Sequence, residues 1–198
     1  MNSNSFLVFD CETTGFVDFK APPHADSQPR LVQLACILFS KEGEAQSELS
    51  LLIRPDGWII PQAAASVHGI TTERASMNGI PLHVALMCFH QLAKRAQTIV
   101  AFNMAYDEPV ITGECWRTSM PHPFRSDNKF CAMLGCKNIL KLPGKFQGDY
   151  KWPKLSEAYR HFFNEDFDRA HDAMADVRAT AKIVLELKKI ATAPEVSV

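Results

Sequence analysis

The stretch Val8-Phe9-Asp10-Cys11-Glu12-Thr13-Thr14-Gly15 constrains this chain more than any other. A short apolar run, 6–9, leads straight into acid. Strand side chains alternate faces, so Asp10 and Glu12 project to the same side of the strand's end. Two carboxylates held side by side repel unless a cation or a proton sits between them. Thr13, Thr14 and Gly15 then break the strand, and the glycine lets backbone come close to whatever binds there. Taken alone, Asp-x-Glu reads better as a solvated acidic turn after an edge strand. Partners far along the chain decide between the two readings.

The composition fits one globular domain with a full core, spanning 1–198, since 46% of the 198 residues are hydrophobic and 22% charged. Lys and Arg number 21 against 22 for Asp and Glu, a net charge of -1. No global field advertises a nucleic-acid partner, so any polyanion site must be local. Six cysteines, at 11, 36, 88, 115, 131 and 136, form no C-x-x-C pair, which argues against a zinc ribbon and a disulfide scaffold. Reduced thiols, the lack of a basic-then-apolar leader and the lack of a membrane-length apolar run lead us to expect a cytoplasmic protein with no membrane partner.

After Gly15, the stretch 16–30 holds Pro22, Pro23 and Pro29 and reads as a long loop, either a substrate-facing flap or a surface insertion. The near-continuous apolar run 31–40 suits a buried strand, and 48–54 follows it across a turn at 41–44. Pro61 opens a short helix, 62–67, ahead of His68-Gly69-Ile70-Thr71. His68 either faces a site or hydrogen-bonds near the turn. A helix from Pro81 through Arg95 places Val84, Met87, Cys88, Gln91 and Leu92 at helical spacing, as a core face.

A fourth strand is expected at 97–102, with Asn103 capping the next helix and Pro109 in its first turn. Asp107 begins an inward stripe with Val110 and Ile111, where a carboxylate either favours the helix dipole or needs a partner. A fifth strand is expected around 129–133. Lys137, Lys141, Lys145, Lys151 and Lys154, interleaved with Phe146, Tyr150 and Trp152, suit either phosphates and bases or a solvated loop. A short helix covers 155–163, and the last runs from His171 to about Ile190. In it Asp176, Ala179, Thr180, Ile183 and Leu187 share a face, so a carboxylate again heads an apolar stripe.

These elements predict an α/β chain: a mixed five-stranded sheet, antiparallel in its first three strands and then built of βα units, with helices on both faces. The ends of the first and fourth strands and the start of the last helix can then converge. Asp10, Glu12, Asp107 and Asp176 would form one acidic cluster, and two charges about 4 Å apart repel by roughly 4 kcal/mol even at an effective dielectric of 20. All-oxygen ligands favour Mg²⁺ or Mn²⁺ over zinc.

With these residues in place, the sequence resembles the DnaQ-like, or DEDDh, 3′→5′ exonuclease family of the ribonuclease-H-like superfamily. The likeness rests on Asp10-Cys11-Glu12-Thr13-Thr14-Gly15, on Asn103-Met104-Ala105-Tyr106-Asp107, on His171 through Asp176, and on His68-Gly69-Ile70-Thr71. One departure is Phe102, where many relatives carry His. The resemblance implies a ribonuclease-H-like fold and two-metal hydrolysis of phosphodiester bonds at a 3′ end, releasing 5′-mononucleotides. Asp10, Glu12, Asp107 and Asp176 would hold two divalent cations and His171 would act as general base. Thr13, Thr14, Gly15, Asn103, Tyr106 and His68 would meet the substrate, a single-stranded DNA or RNA 3′ end. The resemblance also accommodates a polymerase or other replication or repair partner and a homodimer. The alternatives are an RNA-directed exoribonuclease of the same family and a non-catalytic nucleic-acid or polymerase-binding module. Choice of substrate falls to the 16–30 loop and the lysines after Cys136.

Overall fold

A computed structural model of the chain describes residues 5–146, 148–166 and 172–192. Its frame is a five-stranded sheet of order β3-β2-β1-β4-β5. Strands β1 (Phe6–Thr13), β2 (Leu31–Phe39) and β3 (Ala45–Leu52) form an antiparallel meander, and β4 (Thr98–Ala101) and β5 (Lys129–Cys131) join parallel to β1. The mixed topology expected from the sequence is therefore present. All nine residues of β2 are buried, because strands flank it on both sides and helices cover both faces.

Alternation along β1 sorts its side chains between two cores. Phe6 and Val8 pack with the last three helices, α5 (Ala132–Leu140), α6 (Leu155–Phe163) and α7 (Ala173–Thr192). Leu7, Phe9 and Cys11 pack with α3 (Leu82–Ala93) and α4 (Met104–Arg117). A smaller cluster gathers α1 (Gln62–His68) and α2 (Thr72–Asn78) near the start of β2. Among the described residues no helix is long and apolar enough to cross a membrane.

Several elements depart from expectation. β1 carries Asp10 and Glu12 as expected and runs one residue into the stretch expected to break it, ending at Thr13 with a bulge between Glu12 and Thr13. Helix α2 was not anticipated, although Thr71 accepts the Arg74 N–H at 3.1 Å and marks its start. β5 stops at Cys131, and the residues after it wind into α5, so Met133 and Lys137 are helical. The buried face of α3 is Ala85, Leu86, Phe89 and Ala93, whereas Met87, of the expected stripe, is 48% exposed. Two adjacent stripes of that helix are both apolar, and the sheet selects the one that sets Phe89 against Phe9 at 5.2 Å between ring centroids. Asn103 stands at the N-cap of α4 but its side chain makes no capping bond, and Pro109 lies inside the helix beyond its first turn.

Candidate active site

The site begins where β4 gives out. β4 pairs with β1 only across Phe6, Leu7 and Val8, so the rest of β1 projects past its parallel neighbour. A crevice beyond the carboxyl ends of parallel strands is where α/β sheets commonly bind ligands. Asp10 and Glu12 share the β1 face of Phe6 and Val8, the face that α7 covers. Asp172 Oδ1 accepts the N–H groups of Met174 and Ala175, each at 3.1 Å, and so caps α7 and fixes where Asp176 emerges in its first turn. Asp10, Glu12 and Asp176 each present a carboxylate oxygen, all within 4.8 Å of one another.

Asp107 approaches from α4. It is 4% exposed and belongs to α4, whose apolar stripe packs in the other core. Its Oδ1 accepts the N–H of Cys11 at 3.2 Å, a backbone donor beyond the reach of β4. Asp107 is therefore not among the three clustered carboxylates, yet it acts on them through its charge. Burial, then Asp107, Asp176, Glu12 and Asp172, hold the Asp10 carboxyl well above the usual range. Burial, then Asp176, Asp107 and Asp172, push Glu12 up to about 8. Burial raises Asp107 to about 7, against the lowering effect of the Cys11 N–H.

Acids in this state are short of positive charge. Asp10, Glu12 and Asp176 supply carboxylate oxygen with no cysteine or histidine in the set, a donor chemistry that fits a hard divalent cation.

Beside the acids, Thr13 Oγ1, Tyr106 Oη and Gly15 O form a triangle with edges of 2.7, 2.8 and 3.0 Å. Two hydroxyl protons can make only two of these three bonds at once, and they tie the end of β1 to α4 through Gly15 O. Thr14 exchanges bonds with Arg30, its N–H reaching Arg30 O at 3.0 Å and its Oγ1 accepting the Arg30 N–H at 2.8 Å. A Cβ at Gly15 would meet nothing within 4 Å, so no contact inside the protein demands that glycine. Asn103 Oδ1 is buried with no hydrogen-bond partner. His68 Nδ1 accepts the Ile70 N–H at 3.1 Å, the turn role weighed for it above. His171 lies outside the described residues.

The model of the RNase_T exonuclease family matches residues 7–184. The chain belongs to this exonuclease family. A relative, the uncharacterized exonuclease CP81 of Escherichia phage 186, is 28% identical over 191 residues, covering 92% of this chain and 88% of that protein. Among solved structures, E. coli Exonuclease I in complex with a dT13 oligonucleotide matches with a TM-score of 0.74 at 22% identity over 93% of this chain. Exonuclease I of Methylocaldum szegediense matches at 0.72 with 20% identity over 95% of it. The zinc-bound form of the E. coli ExoI–ssDNA complex matches at 0.70 with 23% identity over 96%. The chain spans 41% of the length of each of these three neighbours, which share its ribonuclease-H-like fold.

The exonuclease fold carries a buried ionic group that the motifs do not announce. Glu114, fully buried on α4, accepts Arg30 Nε and the Leu31 N–H, each at 2.9 Å, and lies 3.4 Å from Arg117 Nη1. Arg117 Nη2 in turn donates to Ala25 O and Gln28 O. Gln28 closes the loop on itself, its Nε2 donating to Asp18 O at 2.8 Å and Ala21 O at 3.1 Å. The 16–30 segment is thus pinned to α4, with Phe16 92% and Phe19 70% exposed beside the site. Glu114 continues the Asp107, Val110, Ile111 stripe, so its burial was readable from spacing; its partner 84 residues away was not. Of the lysines after Cys136, Lys137 pairs with Asp149 at 3.5 Å and Lys151 with Glu157.

Proposed function

We propose that the protein is a metal-dependent 3′→5′ exonuclease that removes 5′-mononucleotides from single-stranded nucleic acid, with DNA as its substrate. The observation that carries this reading is the convergence of Asp10, Glu12 and Asp176 within 4.8 Å in a chain of the exonuclease family. Solved neighbours in complex with dT13 and dA16 oligonucleotides support a single DNA strand as substrate.

In this reading Asp10, Glu12 and Asp176 would hold two divalent cations, Mg²⁺ or Mn²⁺. Bound there, the cations would acidify a coordinated water and offset charge developing on the leaving 3′ oxygen. Asp107 adds negative charge while its hydrogen bond to Cys11 holds the strand between Asp10 and Glu12 in place. His171, placed by the sequence just before α7, takes the proton of the attacking water as its oxygen bonds to phosphorus and the 3′ oxygen departs. Thr13, Thr14, Gly15, Tyr106 and Asn103 lie under the terminal nucleotide, where the open space over Gly15 admits it. A polymerase partner and a homodimer are no part of the proposal.

The test is a 5′-labelled single strand incubated with Mg²⁺ or Mn²⁺. The label should persist on strands shortened one nucleotide at a time, and Asp10→Ala should abolish the ladder. Turnover that survives EDTA or Asp10→Ala overturns the reading, and matched DNA and RNA strands assayed side by side assign the sugar.

A further inference from the structure

Beyond the end of β3 a cavity of about 600 Å³ opens between the start of α3 and the end of α4. Its size suits a small-molecule or cofactor ligand. The wall carries Arg30, Arg54, Arg117, His83 and Trp58, against a single acid, Asp56. Nothing in the proposed reaction uses these groups.

Each guanidinium is positioned from behind. The Arg54 N–H donates to Ile80 O at 2.9 Å and its Nε to Gly79 O at 3.2 Å. Gly79 permits this close approach, because a Cβ there would lie 2.3 Å from Ala75 O and 2.6 Å from the Arg54 nitrogen. Among the described residues no ion pair engages Arg54. Arg30 pairs with Glu114 through Nε and Nη2, and its guanidinium carbon sits 5.2 Å from the centre of the Trp58 ring. Arg117 Nη1 is buried 3.4 Å from Glu114 Oε2 and its Nη2 is bonded to Ala25 O and Gln28 O, so Arg117 lends the wall positive charge rather than an open donor.

One carboxylate, Glu114, therefore serves two arginines, and Arg54 adds a third. Fixed guanidinium forks with spare N–H donors match the geometry of phosphate oxygens. We propose that this cavity is a second anion site, which binds the phosphate group of a nucleotide between Arg54 and Arg30, with Arg117 adding positive charge from the wall. One residue of its wall, Arg30, is tied to the candidate active site, its backbone N–H donating to Thr14 Oγ1 at 2.8 Å. The phosphate comes either from a released 5′-mononucleotide or from the backbone of a strand crossing the site. That choice of ligand rests on the proposed function, whereas the anion chemistry does not.

The experiment uses the full chain carrying Asp10→Ala in EDTA, so that neither turnover nor metal contributes. Inorganic phosphate, a 5′-mononucleotide and a single-stranded oligonucleotide are each titrated by calorimetry at low salt. Arg54→Ala in that background should weaken binding tenfold or more and reduce the salt slope for the oligonucleotide by about one. Arg54→Lys, which keeps the charge and loses the fork, should recover part of the affinity, and an unchanged melting temperature shows that the fold is intact. Loss with phosphate and the mononucleotide assigns the site to the released product; loss with the oligonucleotide alone assigns it to the strand. The inference is overturned if the parent binds none of the three, or if Arg54→Ala binds all of them equally well. Because the assay needs no catalysis, it can fail while the nuclease reading stands.

Discussion

Asp107 Oδ1 accepts the N–H of Cys11 at 3.2 Å, along the edge of β1 that β4 leaves unpaired and between the two carboxylates that flank Cys11 in sequence. One acid thus both charges the site and closes a backbone donor that the short β4 leaves over. Asp107→Asn keeps an acceptor for Cys11 and loses the charge; Asp107→Ala loses both. We expect Asp107→Ala to be less stable than Asp107→Asn by about 1–3 kcal/mol, the usual cost of a buried unpaired donor. Thermal unfolding of the two metal-free variants checks this, and equal melting temperatures would show that the bond is not needed.

Stability of the metal-free protein should fall as pH rises. Burial and the neighbouring acids push Glu12 from 4.5 to about 8, and burial takes Asp107 from 3.8 to about 7. Folded protein then holds protons that the unfolded chain releases at lower pH. The stability they confer is complete below the unfolded values and is lost as pH climbs through the folded ones. Melting in EDTA should therefore drop between pH 5 and pH 8, with Mn²⁺ restoring most at pH 8, and Glu12→Gln should flatten the decline. A parent protein whose melting temperature holds level or rises across that window contradicts the assignment.

Gly113 sits under the 16–30 loop. A Cβ there would lie 2.2 Å from Pro23 O, a backbone atom with no freedom to swing aside. Gly→Ala inside a helix ordinarily stabilises by up to about 1 kcal/mol, but here overpacking should cost about 1–3 kcal/mol. Limited proteolysis of Gly113→Ala should cut within 16–30 sooner than in the parent. Cleavage rates that match would mean the loop is held by Arg117 and Gln28 alone.

His171→Ala should lower the rate by roughly 10²–10⁴, the span typical of a lost general base. Mn²⁺ binding, followed by calorimetry, should persist. Loss of metal in step with activity would make His171 structural instead.

Local periodicity carries a good part of this protein. Alternation places Asp10 and Glu12 on one face, helical spacing puts Asp176 at the head of a buried stripe, and the strand runs spell out a mixed sheet. Each depends only on neighbours a few residues apart, and such patterns survive in sequence. The same spacing flags Asp107 and Glu114 as acids on an inward stripe. It does not say that Asp107 meets a backbone N–H 96 residues away, nor that Glu114 holds Arg30 across 84. Nor could it choose the buried face of α3, where two stripes are equally apolar until Phe9 selects Phe89. The pairing of β4 with β1 stops at Val100 and Val8, and that one register decides where the crevice opens. The sequence by itself determined which residues carry charge and which face they take. Only the tertiary structure decided which charges meet, because that depends on strand register and helix packing between segments far apart in the chain.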